Sequence, residues 1–385
     1  MYPTKKLWEI CKVIKWKNPE LFLEVWEWKI PYLTAKFIRW LQLPSFALVS
    51  DKKSTLVDKK DIVIICDWSN SGETFIGLEW ILSSTMWKLS FNQEINTLFI
   101  NHFLVLIIKE LKTRRFWAAI PHLDIKWLLS YKIPLPPLPT QKLIVQKLDS
   151  SFENINKQID LVKKNLSRLE ELNKSILEKV FSEWDYEEVV FWKICDFVRW
   201  PFWWSLKKEI FKKSWYVVYE QMHAIWDQYE EIRYYIDEQK FNEMKRFELR
   251  SWNLIMSCSG TMWKVSIVPE WIKKWIINQA LLVLKPNEKL LNKYLKLYME
   301  SWVFQDEISK YSKWAAIKNV ASVKILKEIQ IPLPPLQKQK EIVTYLDEVF
   351  EKNKQLKTKY DEQLKELEEL KQSLLKDAFD GRLIL

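Results

Sequence analysis

Few residues in this sequence are arranged as a catalytic centre would need. The three histidines, His102, His122 and His223, lie in unrelated contexts, and a lone histidine is more often structural than catalytic. No GxxxxGK[ST] loop is present to hold nucleotide phosphates, and no serine lies in a nucleophile elbow. The string "DEQK" at 237–240 has the residue types of a nuclease centre, but so short a string arises readily by chance. We therefore predict that the chain is not an enzyme.

The cysteines do not indicate a metal site or a disulfide framework. They are far apart in the chain and form no CxxC pair, and we expect neither a bound metal nor a cofactor. The longest apolar run, at 98–108, is about half the length of a membrane span, and the N-terminus has no signal-peptide apolar core. These features predict a cytoplasmic protein with four reduced thiols, those of Cys11, Cys66, Cys195 and Cys258.

The charge of the chain is unevenly distributed. The formal net charge is +10, yet basic and acidic residues balance across 141–182 and 339–385 taken together. The excess therefore lies in the two blocks that precede these segments. Basic blocks held apart by a neutral segment suit a protein that binds a long polyanion at two places, because neutralising phosphates supplies sequence-independent affinity.

An internal repeat organises the sequence. The stretch "IPLPPLPTQKLIVQKLDSSF" at 133–152 returns as "IPLPPLQKQKEIVTYLDEVF" at 331–350, and the match runs without a gap to Phe181 and Phe379. Apolar residues after the prolines are spaced alternately four and three apart, which predicts coiled-coil helices over 141–182 and 339–385 that pack on each other. The alternative is two unrelated surface helices. The predicted seam residues are Leu148, Phe152, Ile155, Ile159, Val162, Leu166 and Leu169 in the first copy and Leu346, Asn353, Lys357, Tyr360, Leu364, Leu367 and Leu374 in the second.

The globular blocks ahead of the two helices also resemble each other, although less closely. "WEICKVIKW" at 8–16 parallels "WKICDFVRW" at 192–200, and "FWAAI" at 116–120 parallels "KWAAI" at 313–317. The two "TMWK" strings, at 85–88 and 261–264, are also expected to be equivalent. The changing offsets indicate insertions and deletions, so similar frames are expected to carry different surfaces.

These features together resemble the specificity subunit of Type I restriction-modification systems. The repeat, its "IPLPPL" entries, "MSCSGTMWKVSIVPEW" at 256–271 and "KWAAIKNVASVKI" at 313–325 carry the resemblance, which covers nearly the whole chain. It implies an α+β fold with target-recognition domains at 1–140 and 186–338. It also implies an antiparallel coiled coil of the helices at 141–185 and 339–385, in an internal pseudo-two-fold repeat.

The resemblance further implies the partners of the chain. Each domain would bind one half of a split double-stranded DNA site, while the coiled coil would carry two methylation subunits, with restriction subunits joining the larger complex. Because the two domains differ, the target is expected to be asymmetric. Arginine can pair bidentately with guanine, whereas lysine more often binds phosphate. The candidate DNA contacts are Lys36, Arg39, Lys88, Arg199, Lys207, Lys208, Arg233, Arg250 and Lys264.

The tryptophans depart from this family pattern. The chain has 23 Trp and 4 Gly, which together equal the roughly 27 glycines expected of such a length. Tryptophan stands where the family pattern has glycine at three positions of "VRWPFWWSLKKEIF", 198–211. The same is true of Trp263, Trp271 and Trp314. Our hypothesis is that one codon meaning glycine in the host has been translated as tryptophan. The alternative is an aromatic platform that stacks single-stranded bases.

Two other classes of protein remain open on the sequence. One is a non-catalytic adaptor whose coiled coil binds proteins and whose basic blocks are incidental. The other is the recognition half of a self-contained restriction enzyme. Sequence-specific duplex binding would argue against the first, and an adjacent gene for a separate methyltransferase would argue against the second.

Overall fold

The computed structural model divides the chain into two compact units. The first comprises residues 1–163 and 361–385, and the second comprises 164–360. Within the described residues, no helix combines the length and the apolarity needed to cross a bilayer. The described residues are 2–24, 28–38, 43–66, 71–77, 79–92, 94–113, 115–116, 122–183, 186–199, 208–259, 261–272, 275–312 and 323–383.

The first half of the chain alternates short strands and helices before a long helix. Its helices are α1 (Leu7–Ile10), α2 (Ala35–Ile38), α3 (Thr97–Thr113), α4 (Ile125–Ser130) and α5 (Leu138–Ser182). Its strands are β1 (Thr4–Lys6), β2 (Cys11–Lys15), β3 (Lys29–Leu33), β4 (Phe46–Leu48), β5 (Leu56–Val57), β6 (Ile62–Ile65), β7 (Thr74–Ile76), β8 (Trp80–Leu82), β9 (Met86–Phe91), β10 (Arg115–Phe116), β11 (His122–Leu123) and β12 (Lys132–Pro134).

The second half repeats this plan. Its helices are α6 (Gln221–Trp226), α7 (Glu238–Glu243), α8 (Asn292–Glu300), α9 (Trp302–Ser312), α10 (Val323–Glu328) and α11 (Leu336–Phe379). Its strands are β13 (Glu188–Val190), β14 (Cys195–Arg199), β15 (Tyr216–Tyr219), β16 (Tyr235–Ile236), β17 (Glu248–Leu249), β18 (Leu254–Ser257), β19 (Val265–Ile267), β20 (Trp275–Ile277), β21 (Leu281–Pro286) and β22 (Gln330–Pro332). Single 3₁₀ turns lie at Phe191–Lys193, Lys208–Ile210 and Lys245–Phe247.

The sheets of the two domains correspond strand by strand. One sheet has the order β2-β9-β6-β7 in the first domain and β14-β21-β18-β19 in the second. The other has the order β4-β3-β8-β5 and β16-β15-β20-β17, with a parallel pair, β3–β8 or β15–β20, at its centre. An antiparallel pair joins the start of each domain to the strand before its long helix, β1 to β12 and β13 to β22. The α+β fold class and the duplicated domain are therefore confirmed.

Strand order confirms one predicted repeat equivalence and corrects another. The paired strings at 8–16 and 192–200 contain β2 and β14, which occupy the same place in the two sheets. The equivalence of the two "TMWK" strings is wrong, because 85–88 runs into β9, whose counterpart is β21, whereas 261–264 precedes β19. A four-letter match carries no information about strand order. The paired strings at 116–120 and 313–317 lie outside the described residues, apart from Phe116.

The true counterpart of Trp263 is Gly72. Each lies two residues before its hairpin strand, β19 or β7. The Gly72 N–H donates to the carbonyl of Ile65 at 2.7 Å, and the Trp263 N–H donates to that of Ser257 at 3.0 Å, the last residues of β6 and β18. The backbone has positive φ at both positions, +93° at Gly72 and +69° at Trp263. One turn is thus built with glycine in the first domain and with tryptophan in the second.

Other tryptophans have the same backbone conformation. Trp28 and Trp215 immediately precede the counterpart strands β3 and β15 with φ of 74° and 116°, and Trp252 has φ of 69°. Positive φ is uncommon for residues other than glycine, since Cβ clashes with the backbone there. The only other described non-glycine residue with positive φ is Asp227. Trp28, Trp215 and Trp252 are also exposed side chains.

The long helices pack antiparallel, as predicted. The first half of α5 shares a core with the end of α11 in the first unit, and the second half of α5 shares one with the start of α11 in the second unit. Across the seam, Asn353 donates to Asn173 at 2.6 Å and Lys357 lies 3.7 Å from Glu170. These polar pairs favour one register, since a shift would leave the amides unpaired.

The helix bounds differ slightly from those predicted. Both helices begin three residues early, directly after Pro137 and Pro335, because proline is tolerated before and within a first helical turn. The second helix ends at Phe379 rather than at 385, since Gly381 follows with φ of 76°, the left-handed conformation that commonly ends a helix.

Each long helix ends with a phenylalanine in a domain core. Phe181 packs edge-on against Tyr294 and Tyr298 of α8, with ring centroids 5.6 and 5.4 Å away. Phe379 packs against Phe99 and Phe103 of α3 at 4.9 and 5.0 Å. Each long helix therefore begins in the core of one unit and ends in the core of the other.

A buried glutamine fixes the start of each long helix. Gln141 accepts a hydrogen bond from the N–H of Asn96, before α3, at 2.9 Å and donates to the carbonyl of Pro136 at 2.8 Å. Gln339 accepts from the N–H of Leu291, before α8, at 2.8 Å and donates to the carbonyls of Pro334 and Lys289, both at 2.8 Å. The equivalent amides therefore tie each helix to its recognition domain.

Candidate nucleic-acid interface

The parallel strand pair of each domain brings polar residues to one edge of its sheet. In the second domain β15 and β20 end at Tyr219 and Ile277, which lie opposite each other. Glu220 and Asn278 directly follow these two residues. The Asn278 N–H donates to the Tyr219 carbonyl at 2.9 Å, which holds the ends of the two strands together. Ligands commonly bind beyond the carboxyl ends of parallel strands, where loops diverge. We call these positions the carboxyl edge.

A third segment joins this edge in the second domain. The N–H of Cys258 donates to the carbonyl of Ala280 at 2.8 Å, which places the residue after β18 beside the one before β21. The hydroxyl of Ser259 then donates to the side-chain oxygen of Gln221 at 2.7 Å. Glu220, Gln221, Ser259 and Gln279 thus gather at one place, although the sequence prediction had singled out none of them. The signal was a polar pair directly after each apolar strand, "EQ" after "YVVY" and "NQ" after "WII".

Two predicted DNA contacts lie at this carboxyl edge. Arg199 ends β14, and its charge acts on the thiol of Cys258, whose pKa burial raises to about 12. Arg233 precedes β16, and its positive charge opposes the rise in the pKa of Glu220 that burial causes. Arg233 also lies 3.3 Å from Glu231 and is exposed. The structure therefore brings a half-buried carboxyl, two amides and two guanidinium groups into one region.

The remaining predicted contacts of the second domain are dispersed. Arg250 follows β17, which runs antiparallel to β20, and so lies at the opposite end of the sheet, 3.6 Å from Glu248. Lys264 lies in the hairpin before β19, where its charge is felt by Glu300. Lys207 lies outside the described residues, and of Lys208 only the backbone, in a 3₁₀ turn, is described.

The first domain has the same edge with other side chains. The N–H of Cys66 donates to the carbonyl of Thr85 at 2.9 Å, the counterpart of the bond from Cys258 to Ala280. Thr34 follows β3 and caps α2 by accepting from the N–H of Phe37 at 3.1 Å. The exposed Lys36, a predicted DNA contact, lies on α2, whereas Arg39 lies outside the described residues.

The geometry of Lys88 favours a structural role. Its ammonium lies 2.9 Å from Asp61 and donates to the carbonyl of Leu56 at 2.6 Å, while Ser90 donates to the same carboxylate. The side chains of Lys88 and Asp61 are 13% and 8% exposed. A buried, paired ammonium has little freedom to bind phosphate, and DNA contact by Lys88 stays an untested prediction.

His223 supports the carboxyl edge from beneath. One ring nitrogen lies 3.0 Å from the backbone of Glu220 and the other 3.0 Å from the carbonyl of Glu231. Burial lowers its pKa, an effect opposed by these backbone contacts and reinforced by the charge of Arg233. The neutral ring therefore connects α6 to the segment that carries Arg233, which is a positioning role.

The described residues contain neither a metal centre nor a disulfide. No three histidine, cysteine or acidic side chains gather within them as metal ligands. All four cysteines carry free thiols, three of them buried. Burial raises the pKa of the thiols of Cys11 and Cys258 to about 12, which makes both poor nucleophiles.

Comparisons with known proteins agree with this architecture. A family model described as the Type I restriction modification DNA specificity domain matches residues 2–171 and 204–366. The Type I restriction enzyme MjaVIII specificity subunit of Methanocaldococcus jannaschii is 27% identical over 372 residues, covering 89% of this chain and 85% of that protein. The EcoBI specificity subunit of Escherichia coli is 23% identical over 364 residues, covering 82% and 74%.

Solved structures show the same fold at low sequence identity. A chain from a structure of a type I R-M system complex matches with a TM-score of 0.77 at 19% identity, covering 99% of this chain and 98% of that one. The HsdS subunit of Thermoanaerobacter tengcongensis matches with a TM-score of 0.57 at 19% identity, covering 99% and 97%. This chain belongs to the Type I restriction-modification DNA specificity family, and it is a non-catalytic DNA-recognition subunit.

Proposed function

We propose that the chain binds an asymmetric, bipartite double-stranded DNA site and directs two methylation subunits, and the restriction subunits of the larger complex, to it. One observation carries this proposal. The two domains share a strand order and edge hydrogen bonds but carry different side chains at equivalent edge positions. A common frame with two different surfaces suits two unequal half-sites. We assign them to domains at 1–140 and 186–338, working in the cytoplasm.

The candidate basic residues divide into three groups in this proposal. Lys36, Arg199 and Arg233 lie at or beside the carboxyl edges, where they contact phosphates or bases. Arg39 follows Lys36 in the sequence and Lys207 and Lys208 follow Arg199, but Arg39 and Lys207 lie outside the described residues. Lys88, Arg250 and Lys264 contribute less, since Lys88 and Arg250 each pair with a carboxylate of their own domain and Lys264 lies near Glu300.

The test is selection from a library of duplexes with randomised sequence, using the full chain assembled with its methylation subunits. We expect two unrelated half-sites separated by a fixed spacer, with affinity that falls steeply as salt rises. Lys36→Ala is expected to weaken binding to every duplex equally and to reduce the salt slope by about one. Absence of duplex binding at moderate salt for every sequence would favour an adaptor instead.

We propose further that most of the tryptophans are glycines in the native protein. Trp28, Trp215, Trp252 and Trp263 support this, because glycine adopts positive φ without the strain that a Cβ introduces. Gly72 supports it most directly, since the first domain builds with glycine the turn that Trp263 builds in the second. Trp200, Trp203 and Trp204, to which the same hypothesis applies, lie outside the described residues.

Mass spectrometry of protein isolated from its host tests this substitution. The tryptic peptide from residue 214 to Arg233 contains positions 215 and 226, and the one from residue 200 to Lys207 contains three more. Glycine at these positions supports the proposal and requires a recoded gene for every recombinant experiment. Tryptophan there contradicts it and favours aromatic stacking on single-stranded nucleic acid.

A further inference from the structure

Two glutamines lie at the carboxyl edge of the second domain. Gln221 follows β15 by two residues and Gln279 follows β20 by two, so the parallel pair presents them at equal depth. Neither side chain is exposed to the degree of an ordinary surface glutamine, and neither belongs to the sheet hydrogen bonding. Arg199 and Arg233 are placed beside them by β14 and β16, which supplies positive charge for a nucleic-acid backbone.

Each of the two amides keeps a hydrogen-bonding group for a ligand, a donor on Gln221 and an acceptor on Gln279. The oxygen of Gln221 is occupied by the Ser259 hydroxyl at 2.7 Å, which fixes the carboxamide and leaves its NH₂ group as a donor. The side-chain oxygen of Gln279 has no hydrogen-bond partner among the described residues and is covered from solvent. An unpaired buried acceptor is unfavourable, and rotation of this flexible side chain would bring it to a donor supplied by a ligand.

A donor beside an acceptor matches one base in the major groove. Adenine presents an acceptor, N7, next to a donor, the N6 amino group, whereas guanine presents two acceptors, cytosine a donor and thymine an acceptor with a methyl group. We propose that Gln221 and Gln279 together bind an adenine in the half-site of the second domain. Gln221 donates to N7 and Gln279 accepts from N6. This inference rests on duplex recognition by the chain.

The first domain cannot make this pair. The counterparts of Gln221 and Gln279 are Ala35, the second residue after β3, and Ser84, the second after β8. Alanine has no hydrogen-bonding group in its side chain, and the serine hydroxyl is too short to replace a carboxamide. The same frame therefore selects a different base in the other half-site, and the adenine preference belongs to the second domain alone.

The experiment is duplex selection with the full chain and its methylation subunits, comparing Gln221→Leu and Gln279→Leu with the unaltered protein. Gln239→Leu is the matched control, since it makes the same change at an exposed position of α7. Each edge variant is expected to lose about 5- to 150-fold of the preference for adenine at a single position. Both are expected to affect the same position, and the control none.

The possible outcomes separate this inference from the broader proposal. Equal loss of affinity for all sequences would overturn the adenine contact and indicate a structural role for the two amides. Unchanged preference in both variants, or effects at positions in both half-sites, would also overturn it. Failure of the unaltered protein to select any sequence would instead contradict duplex recognition. Circular dichroism of each variant shows whether a loss reflects misfolding, and Gln221→Glu then supplies an isosteric variant that lacks the NH₂ donor.

Discussion

The two recognition domains differ least in their interiors and most where their parallel strands end. Both have the same strand order and the same buried glutamine at the start of the long helix. Both also have a hydrogen bond from a cysteine N–H to the residue before the neighbouring strand of the sheet. At the carboxyl edges, however, Thr34 and Ser84 of the first domain occupy the positions that Glu220 and Gln279 occupy in the second. The frame is maintained while the edge changes, which allows one architecture to bind two different half-sites.

The largest effect on stability is expected from removing the phenylalanine near the end of each long helix. Phe181→Ala and Phe379→Ala should each destabilise one unit by about 3–5 kcal/mol, because each removes a buried ring from an aromatic cluster. Phe181→Ala should act on the second unit and Phe379→Ala on the first. Hydrogen exchange followed by mass spectrometry resolves the two units, and Leu161→Ala, an exposed position on α5, serves as the control. Equal loss of protection in both units from either variant would contradict the assignment.

The next effect concerns the paired glutamines. Gln141→Leu and Gln339→Leu should each cost about 2–4 kcal/mol, since each leaves one buried carbonyl and at least one half-buried backbone group without partners. The loss should be greater for Gln339, which makes one more hydrogen bond. Chemical denaturation measures both, with the exposed Gln146→Leu as the matched control. A cost no larger than that of the control would show that these amides do not hold the helices to the domains.

A smaller effect with the opposite sign is expected for the strained turns. In a chain made with tryptophan, Trp28→Gly, Trp215→Gly, Trp252→Gly and Trp263→Gly should each stabilise by about 1 kcal/mol, because glycine relieves the strain of positive φ. Thermal unfolding of the four-site variant measures the sum. Trp275→Gly, at a buried position of β20 without positive φ, should destabilise instead. A lower unfolding temperature for the four-site variant would contradict the strain argument.

The smallest effect sharpens the comparison through pH. His223 and Phe37 are both the third residue of the helix after a parallel strand, yet only His223 titrates. Its pKa is lowered in the folded chain, mainly by burial, so below its usual value near 6.5 the unfolded chain binds a proton that the folded chain does not. Stability of the second unit should therefore be complete above about pH 6.5 and fall as pH decreases. His223→Gln should flatten this dependence, and an unchanged slope would count against it.

The helices were predictable from the sequence, whereas the edges were not. Seam residues such as Ile155, Ile159 and Val162 repeat over many turns, so their periodicity alone defines the helix, and all three are buried. The contacts of Lys88 could not be predicted from the sequence, because its partner, Asp61, is brought to it only by the pairing of β6 with β9. Gln221 and Ser259 likewise meet only through strand order, which no local pattern encodes. The fold was also needed to identify Gly72 as the counterpart of Trp263 and so to show that both have positive φ.

The division of the long helices between the units also affects the order in which the chain folds as it is synthesised. The second unit is a continuous stretch, 164–360, and has all of its residues once that stretch has emerged. The first unit begins earlier but needs 361–385, since Phe379 completes the core around Phe99 and Phe103. Domains generally fold in the order of their synthesis. In this chain the domain that is synthesised first is the last to be completed, and until then its core remains open at the first two turns of α3.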